Sequence, residues 1–183
     1  MTALIRLAGT ADAAAIAAIY RPYVEGSRIS FEEVPPDAAE MARRIDGDHS
    51  GMHPWLVAEE QGALLGYAAS SPFRVRRAYR WTVETGVYLA PVGQGRGIGT
   101  RLMAELCGLL ERQGYVAAIA AIAPPNPASI ALHESLGFRR VGTYHGTGFK
   151  MGEWLDVGLW QKDLAPRSAE PAEPRPFAQL AGF

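Results

Sequence analysis

The sequence lacks several features that would assign a chain to a class at once. With a single cysteine, Cys107, it cannot form an internal disulfide, which favours a reducing compartment, and we expect a cytoplasmic protein. Its 18 lysines and arginines nearly balance 19 aspartates and glutamates, so charge gives no support for a nucleic-acid or membrane-surface role. No apolar run reaches the length of a membrane span, and residues 1–6 are unlike a signal peptide. Paired cysteines and an H-E-x-x-H motif are absent too, so we predict no metal site.

What is present is the composition of an ordinary globular protein. The 183 residues, 48% of them hydrophobic, are enough for one domain with a substantial core, which we place at residues 1–164. From there on the chain is rich in proline and alanine, which excludes helix and central strand. Residues 165–183 are therefore predicted to form a C-terminal tail that is flexible or lies on the surface. Phe177, Leu180 and Phe183 could attach such a tail to the domain.

Apolar periodicity and turn residues predict the elements in the order β-α-α-β-β-β-α-β-α-β-β, with room for one more strand. A long strand, rich in β-branched and aromatic residues, covers residues 81–89. Three strands are predicted near the end, at residues 138–141, 144–149 and 155–164. This order is typical of an α/β or α+β domain built on one mixed sheet.

A glycine-rich segment between the long strand and the next helix is the most informative part of the sequence. Gly93, Gly95, Gly97 and Gly99 stand at alternate positions, which leaves backbone N–H groups accessible to a bulky anion. The helix that follows adds its unpaired N-terminal donors and the positive end of its dipole. We therefore predict a phosphate or pyrophosphate site. The spacing fits neither G-x-G-x-x-G nor a P-loop, because the first lysine of the chain is Lys150.

Two segments carry a resemblance to a known superfamily. The pattern Gln94-x-x-Gly97-x-Gly99 resembles the pyrophosphate-binding motif of the GNAT superfamily of N-acetyltransferases, where the turn holds the pyrophosphate of acetyl-CoA. Residues 126–138, which begin with an asparagine and end in a Gly-Phe turn, resemble the second coenzyme A segment of the same superfamily. The asparagine could also serve only as a helix cap.

Two further segments are similar to one branch of this superfamily. Residues 78–84 and 148–161 resemble the phosphinothricin N-acetyltransferases and their relatives that act on methionine sulfoximine and methionine sulfone. The similarity covers nearly all of residues 3–164. It implies a GNAT-like fold, an α/β (α+β) domain with a mixed, mostly antiparallel central sheet flanked by helices.

The resemblance also implies an activity. It is that of an acetyl-CoA-dependent N-acetyltransferase that moves the acetyl group directly, within a ternary complex, to the α-amine of a small amino-acid analogue. Cys107 lies too far inside its helix to carry the acetyl group. A homodimer is expected by the same resemblance. The implied coenzyme-binding residues are Val87, Tyr88, Leu89, Gln94, Gly95, Arg96, Gly97, Ile98, Gly99, Thr100, Asn126 and Ser129.

Glu84 is the candidate general base. A base is needed because an amine is protonated at neutral pH and cannot attack a thioester until it loses a proton. In an extended strand Glu84 shares a face with Gly86 and Tyr88, and burial there would raise its pKa toward the working pH. The resemblance places the catalytic glutamate of the family at this position. The alternative is a structural ion pair with an arginine of the preceding loop.

His133 is the second catalytic candidate. Many GNAT enzymes have a tyrosine at this helix position, which protonates the departing thiolate, and the phosphinothricin branch has a histidine. An imidazole with a pKa near neutral can donate or relay a proton. A single histidine on a helix is otherwise an ordinary core or surface residue, so this role depends on the resemblance.

The loop before the long strand contains the candidates for acceptor binding. Four of residues 73–80 are arginines, and arginine binds carboxylates and phosphinates with two parallel hydrogen bonds. Arg74 and Arg76 match basic positions of the family loop, whereas Arg77 and Arg80 are interpreted as surface charges. Aromatic side chains are expected to wall the acceptor pocket, although core packing would explain them nearly as well. They are Phe31, Tyr79 and Phe149, with Trp154 as a further possibility.

Two other functions remain open. In one of them the protein still uses acetyl-CoA, but the acceptor is a protein N-terminus or another amine. A polyamine acceptor would require an acidic site, and the arginines of residues 73–80 argue against such a site. The other is a non-catalytic sensor that binds acyl-CoA, which the presence of both Glu84 and His133 argues against.

Overall fold

The computed structural model describes residues 3–47 and 51–180, so the predicted contact of Phe183 lies outside the described residues. Seven strands and four α-helices alternate along this part of the chain in the predicted order. Their bounds are β1 Leu4–Leu7, α1 Ala13–Glu25, α2 Ala38–Asp46, β2 Trp55–Glu60, β3 Ala63–Pro72, β4 Thr82–Leu89, α3 Ile98–Gln113, β5 Ala117–Ile122, α4 Pro127–Ser135, β6 Arg139–Lys150 and β7 Glu153–Asp163.

All seven strands form one sheet, in the order β1-β2-β3-β4-β5-β7-β6. Every neighbouring pair is antiparallel except β4 and β5, which are parallel. The predicted mixed, mostly antiparallel sheet flanked by helices is therefore confirmed. Alternate residues of a strand face opposite sides, and both sides are covered. Leu56 and Ala58 of β2 belong to the main core with α3, whereas Val57 belongs to a second core with α1 and α2.

The strands predicted at residues 138–141 and 144–149 are one strand, β6, and that prediction was wrong in number. The pairing register with β7 shifts between Arg140 and Gly142 and again between Tyr144 and Gly148. Such irregularities absorb extra residues without ending the strand. Gly142, at the first shift, is a residue type that often ends a strand, so the sequence pattern predicts two strands where the structure has one bulged strand.

The parallel pair β4 and β5 separates after a short contact. Their pairing runs from Thr82 opposite Ala117 to Glu84 opposite Ile119 and then ends. Beyond that point β4 stays paired with β3 as far as Leu89, and β5 stays paired with β7 as far as Ile122. The separation leaves the backbone of residues 85–89 open on its β5 side. This opening is the structural basis of the cavity described below.

The C-terminal tail lies on the surface of the domain throughout residues 165–180. The buried side-chain amide of Gln113 donates to the carbonyl oxygen of Arg175 at 3.0 Å, and the Arg175 N–H donates to the Gln113 carbonyl at 2.8 Å. Farther on, the Phe177 N–H donates to the Gly51 carbonyl at 3.0 Å, and Leu180 is buried in the main core. Backbone hydrogen bonds and the apolar side chains of Phe177 and Leu180 thus fix a segment whose one regular element, among the described residues, is a turn of 3-10 helix at Phe177–Gln179.

Candidate functional site

A cavity of about 720 Å³ lies where β4 and β5 separate. Its walls are the ends of these two strands, the turn before α3, the first turn of α3 and one side of α4. Of the twelve residues predicted to bind coenzyme A, eleven line this one cavity. They are Val87, Tyr88, Leu89, Gln94, Gly95, Gly97, Ile98, Gly99, Thr100, Asn126 and Ser129.

The turn before α3 presents backbone donors rather than side chains. Gly95 and Gly97 have φ angles of 69° and 71°, a left-handed conformation that residues with a Cβ rarely adopt. The first backbone bond of α3 is donated by Arg101 to the Gly97 carbonyl, at 3.1 Å. The N–H groups of the three residues between them therefore have no partner within the helix. No side chain caps this end and no acidic residue lies in the first turn, so the N-terminal charge of the helix faces the cavity.

Arg96 is the predicted coenzyme-binding residue that does not line the cavity. Its guanidinium pairs with the Glu60 carboxylate at 2.9 Å and 3.0 Å, on the outer side of the turn. The side chain is partly exposed, which leaves it able to exchange this carboxylate for a phosphate. Sequence reasoning could not anticipate Glu60 as its partner because the two residues are 36 positions apart.

Asn126 caps α4 and lines the cavity at the same time. Its side-chain oxygen accepts a hydrogen bond from the Ser129 N–H at 3.2 Å, the ordinary bond of a helix cap. Its side-chain amide group makes no hydrogen bond to any residue that the structure describes, and the residue faces the cavity. The two predicted roles of Asn126 are therefore compatible, since they use different atoms.

His133 is buried at the cavity wall in a defined tautomer. Its Nδ1 lies 2.8 Å from the Ser129 carbonyl oxygen, which can only accept, so Nδ1 carries the proton. The other nitrogen, Nε2, is buried and has no hydrogen-bond partner among the residues that the structure describes. Burial lowers the pKa of His133, and the hydrogen bond to Ser129 opposes this in part. In this tautomer Nε2 of His133 presents a lone pair to the cavity wall and can accept a hydrogen bond.

Glu84 stands on β4 one residue before the separation begins. The adjacent Thr85 and Gly86 line the cavity, while the half-buried carboxyl group of Glu84 lies on the opposite face of the strand from Thr85. Among residues 3–47 and 51–180 it forms no hydrogen bond and no ion pair, so the structural alternative is not found there. Burial raises the pKa of Glu84, and the positive charge of Arg74 opposes this shift.

The predicted acceptor residues do not line the cavity and fall into two groups. The first belongs to the arginine loop (residues 73–81). The Arg74 guanidinium donates to the Tyr144 hydroxyl at 2.7 Å and lies 4.9 Å from the ring centre of Phe73. The Tyr79 ring meets that of Phe73 edge-on at 5.7 Å. The exposed Arg76 guanidinium forms no hydrogen bond or ion pair within the described part of the chain.

The second group consists of Phe149 on β6 and Phe31, which packs against that strand. The Phe31 ring packs directly on Gly148, where no side chain intervenes, and Phe149 contacts Trp154 with ring centres 5.3 Å apart. The segment that contains Phe31 is fixed by the buried ammonium group of Lys150, which donates to the carbonyl oxygens of Val24 and Ser30 at 2.7 Å and 2.6 Å. Since Tyr144 is also on β6, this strand connects both groups of predicted acceptor residues.

Sequence reasoning missed Tyr23 as a residue of the site. Its hydroxyl donates to the Leu89 carbonyl at 2.7 Å and lies 3.4 Å from the side-chain nitrogen of Gln94. Tyr23 therefore connects α1 to the end of β4 and to the glycine turn. A tyrosine on the apolar face of a helix needs a hydrogen-bond partner for its hydroxyl. This need is the one signal in the sequence that indicates a structural contact for Tyr23. Its partner could not be read from the sequence.

Neither a metal-ligand cluster nor a helix able to span a membrane occurs among the described residues. No cluster of three or more histidine, cysteine, aspartate or glutamate side chains there could hold a metal ion. None of the described helices combines the length and the apolar character needed to cross a bilayer.

Comparison with known proteins gives one consistent result. The family model "Acetyltransferase (GNAT) domain" matches residues 5–159. A phosphinothricin N-acetyltransferase of Streptomyces viridochromogenes is 40% identical over 172 residues, covering 94% of this chain and 91% of its own length. An L-methionine sulfoximine/L-methionine sulfone acetyltransferase of Pseudomonas paraeruginosa is 37% identical, covering 93% of this chain and all of its own.

A solved structure is similar over the whole molecule. It is the crystal structure of a GNAT superfamily phosphinothricin acetyltransferase from Sinorhizobium meliloti in complex with acetyl-CoA. Its sequence is 43% identical, the match covers 98% of each chain, and the TM-score is 0.89.

Proposed function

This chain belongs to the GNAT family of acetyltransferases, and we propose that it acetylates the α-amine of a small amino-acid analogue of the phosphinothricin or methionine sulfoximine type. It is an N-acetyltransferase that uses acetyl-CoA as co-substrate. The observation that carries the proposal is the arrangement around Glu84. A half-buried carboxylate without an ion pair lies beside the charge of Arg74, on the strand that walls the cavity.

Glu84 acts as the general base in this proposal. Because burial raises its pKa, its carboxylate holds a proton more strongly than an exposed glutamate and removes one from the acceptor's ammonium group more readily. The freed nitrogen attacks the thioester carbonyl carbon, the carbon–sulfur bond breaks, and its electron pair leaves with the sulfur of coenzyme A. The second proton lost by the nitrogen ends on that thiolate, so the products are the N-acetyl amide and free coenzyme A. The Arg74 guanidinium would bind the acceptor's carboxylate or phosphinate and so hold the amine close to Glu84.

Backbone groups and one imidazole would hold the other substrate. The N–H groups of the glycine turn and of the start of α3 would bind the pyrophosphate, and the open backbone of Val87 to Leu89 would pair with the pantetheine amides. The Nε2 lone pair of His133 would accept a hydrogen bond near the reacting sulfur. This tautomer favours a proton-accepting or relaying role over direct proton donation.

Direct transfer within a ternary complex is supported by the state of the single cysteine. Cys107 is buried in α3, and burial raises the pKa of its thiol to about 11. A thiol of this kind is almost never ionised at neutral pH and is a poor acyl carrier. A reduced, buried thiol also fits the proposed cytoplasmic location.

A thiol-release assay with acetyl-CoA tests the proposed acceptor class. The acceptors are L-phosphinothricin, L-methionine sulfoximine and L-methionine sulfone, with L-methionine, spermidine and an alanine-initiated peptide as controls. We expect turnover of at least one analogue at a kcat/KM well above that of every control. Initial-rate lines should intersect when both substrates are varied, as direct transfer requires. Turnover of the peptide alone would contradict the acceptor class and support the protein N-terminal alternative, and acetyl-CoA binding without any turnover would support a sensor.

A homodimer is the second part of the proposal. Edge strand β6, the turn after it and the start of β7 expose several large apolar side chains, and such surfaces mark protein interfaces. They include Phe149, Met151 and Trp154, which are 55%, 56% and 69% exposed. We expect sedimentation equilibrium at micromolar concentration to give twice the chain mass of 19.7 kDa. Replacement of Trp154 by glutamate should shift the equilibrium toward the monomer, and a wild-type monomer would contradict the proposal.

A further inference from the structure

The C-terminal tail passes next to the arginine loop. The tail residues that follow this contact are attached to the body of the domain. The backbone of Arg175 exchanges hydrogen bonds with Gln113, and Leu180 is buried in the main core. Gln113 is itself fully buried, and its side-chain amide also donates to the carbonyls of Gly51 and Met52 at 3.2 Å and 3.1 Å. Residues 172–173 are therefore held within three residues of a firm attachment to the body.

Three contacts connect this part of the tail to the end of the arginine loop. The Nε–H of Arg80 donates to both carboxylate oxygens of Glu173, at 2.7 Å and 2.9 Å. Arg77 reaches the same carboxylate at 3.1 Å. The indole N–H of Trp81 donates to the Ala172 carbonyl at 2.8 Å, and the Arg80 guanidinium lies 3.5 Å from the centre of that indole. One carboxylate thus joins two arginines that the sequence alone indicated as unattached surface charges.

A series of contacts runs from this attachment along the arginine loop to Arg74. Its residues Arg77–Tyr79 form one turn of 3-10 helix, in which the Tyr79 and Arg80 N–H groups donate to the carbonyls of Arg76 and Arg77. From Tyr79 the contact passes to the Phe73 ring and from there to the Arg74 guanidinium. The far end of the loop is held by the bond from Arg74 to Tyr144. The loop therefore has side-chain contacts at both ends, with Tyr144 of β6 at one end and with Glu173 of the tail at the other.

We propose that Glu173 is a positioning residue for acceptor binding, which acts by fixing the arginine loop through Arg80 and Arg77. The proposal rests on the proposed function, because Arg74 is taken there as the group that binds the acceptor's acid. Glu173 does not touch the substrate. The tail sets the orientation of Arg74 relative to Glu84, and the glycine turn and coenzyme cavity lie outside its reach.

Replacement of Glu173 by glutamine tests this role with little change of size. We expect the KM for the acceptor to rise about fivefold, the size typical of a small network of exposed ion pairs, with kcat and the KM for acetyl-CoA within about twofold of wild type. Arg80→Gln should have the same effect, and the double variant should be no worse than either single variant. Glu170→Gln is the matched control, since this tail carboxylate forms no ion pair within the described residues and should leave all three constants unchanged.

Amide hydrogen exchange gives a readout that needs no acceptor. In Glu173→Gln the amides of Tyr79 and Arg80 should exchange severalfold faster, while those of α3 stay as in wild type and Glu170→Gln changes neither. Unchanged exchange in Glu173→Gln would overturn the proposal, and so would faster exchange with an unchanged acceptor KM. If kcat and both KM values changed together, the role would be merely structural and the proposal would be wrong. Absence of wild-type turnover with every analogue would instead contradict the proposed function, and exchange would still decide whether Glu173 holds the loop.

Discussion

Replacement of Glu84 by glutamine should lower kcat by about 10²–10⁴-fold, the usual contribution of a general base. Glutamine keeps the shape of the side chain but cannot accept the proton from the acceptor's ammonium group. The KM for acetyl-CoA should stay within about twofold, because the cavity is walled by the residues after Glu84 and not by its carboxylate. The deficit should shrink as the pH rises toward the pKa of the acceptor amine, where the substrate loses its proton without help.

The pH profile of the wild type tests the same role of Glu84, because the direction of its pKa shift predicts where activity is lost at low pH. The pKa of Glu84 lies above the ordinary glutamate value of 4.5 because burial disfavours the carboxylate. The acid limb of kcat/KM should therefore lie above pH 4.5, and it should be missing from the Glu84→Gln profile. Because the pKa is raised in the folded state, the contribution of Glu84 to stability is fully present below the ordinary value of 4.5 and is lost as the pH rises through the folded pKa. Glu84→Gln should thus melt at or above the wild-type temperature at pH 7.

The control for this variant is Glu105→Gln, which changes an exposed glutamate of α3 and should behave as wild type. Two results would contradict the role of Glu84. One is a Glu84→Gln variant with wild-type kcat at pH 7. The other is a loss of activity that parallels a fall in the melting temperature, which would indicate a structural residue.

Replacement of Gly97 by aspartate should raise the KM for acetyl-CoA about 100-fold. Gly97 has a φ of 71° with no atom close enough to meet an added Cβ, and aspartate tolerates this conformation better than most residues. The fold should therefore survive, while a carboxylate is placed where the pyrophosphate is proposed to bind. Like charges in contact cost several kcal/mol, and about 2.7 kcal/mol corresponds to 100-fold.

Two comparison variants separate charge from backbone strain. Gly97→Asn has the same shape without the charge, so its KM for acetyl-CoA should rise by less than about tenfold. Gly62→Asp makes the same change at a φ of 79°, in the exposed turn between β2 and β3, and should leave both KM values unchanged. Equal KM values in Gly97→Asp and Gly97→Asn would contradict an anion site at this turn. Calorimetry with coenzyme A alone would measure the same differences without catalysis.

The parts of the site that follow from the sequence are those built by neighbours along the chain. Three features are set by residues close together in the sequence, within about one helical turn or a few strand positions. They are the glycine turn, the start of α3 and the alternation of side chains between the two faces of β4. Local backbone preferences act over that distance, so the motif and its elements were predictable. Gly114 is an example, because a glycine after a helical pattern predicts the left-handed end of α3 that the structure has, with a φ of 97°.

The parts that do not follow depend on partners far away in sequence. Tyr23 meets Leu89 over 66 positions, Arg96 meets Glu60 over 36, and Arg80 meets Glu173 over 93. Each of these residue types needs a hydrogen-bond or ion-pair partner, but which residue becomes the partner depends on the tertiary structure. The tail is the clearest case, because its composition excludes regular structure but says nothing about the hydrogen-bonding groups of Gln113 that bind it.

The separation of β4 from β5 has a consequence for how this enzyme can change. The groups proposed to bind the pyrophosphate and the pantetheine amides are main-chain N–H and C=O groups, which almost any substitution leaves in place as long as the backbone path is kept. The groups proposed to bind the acceptor are side chains on a loop and next to a bulged edge strand, where each replacement alters shape and charge directly. Mutations can therefore shift the preferred amine in small steps while the acetyl donor stays the same. Directed evolution aimed at residues 73–81 and at β6 should yield new acceptors without loss of acetyl-CoA use.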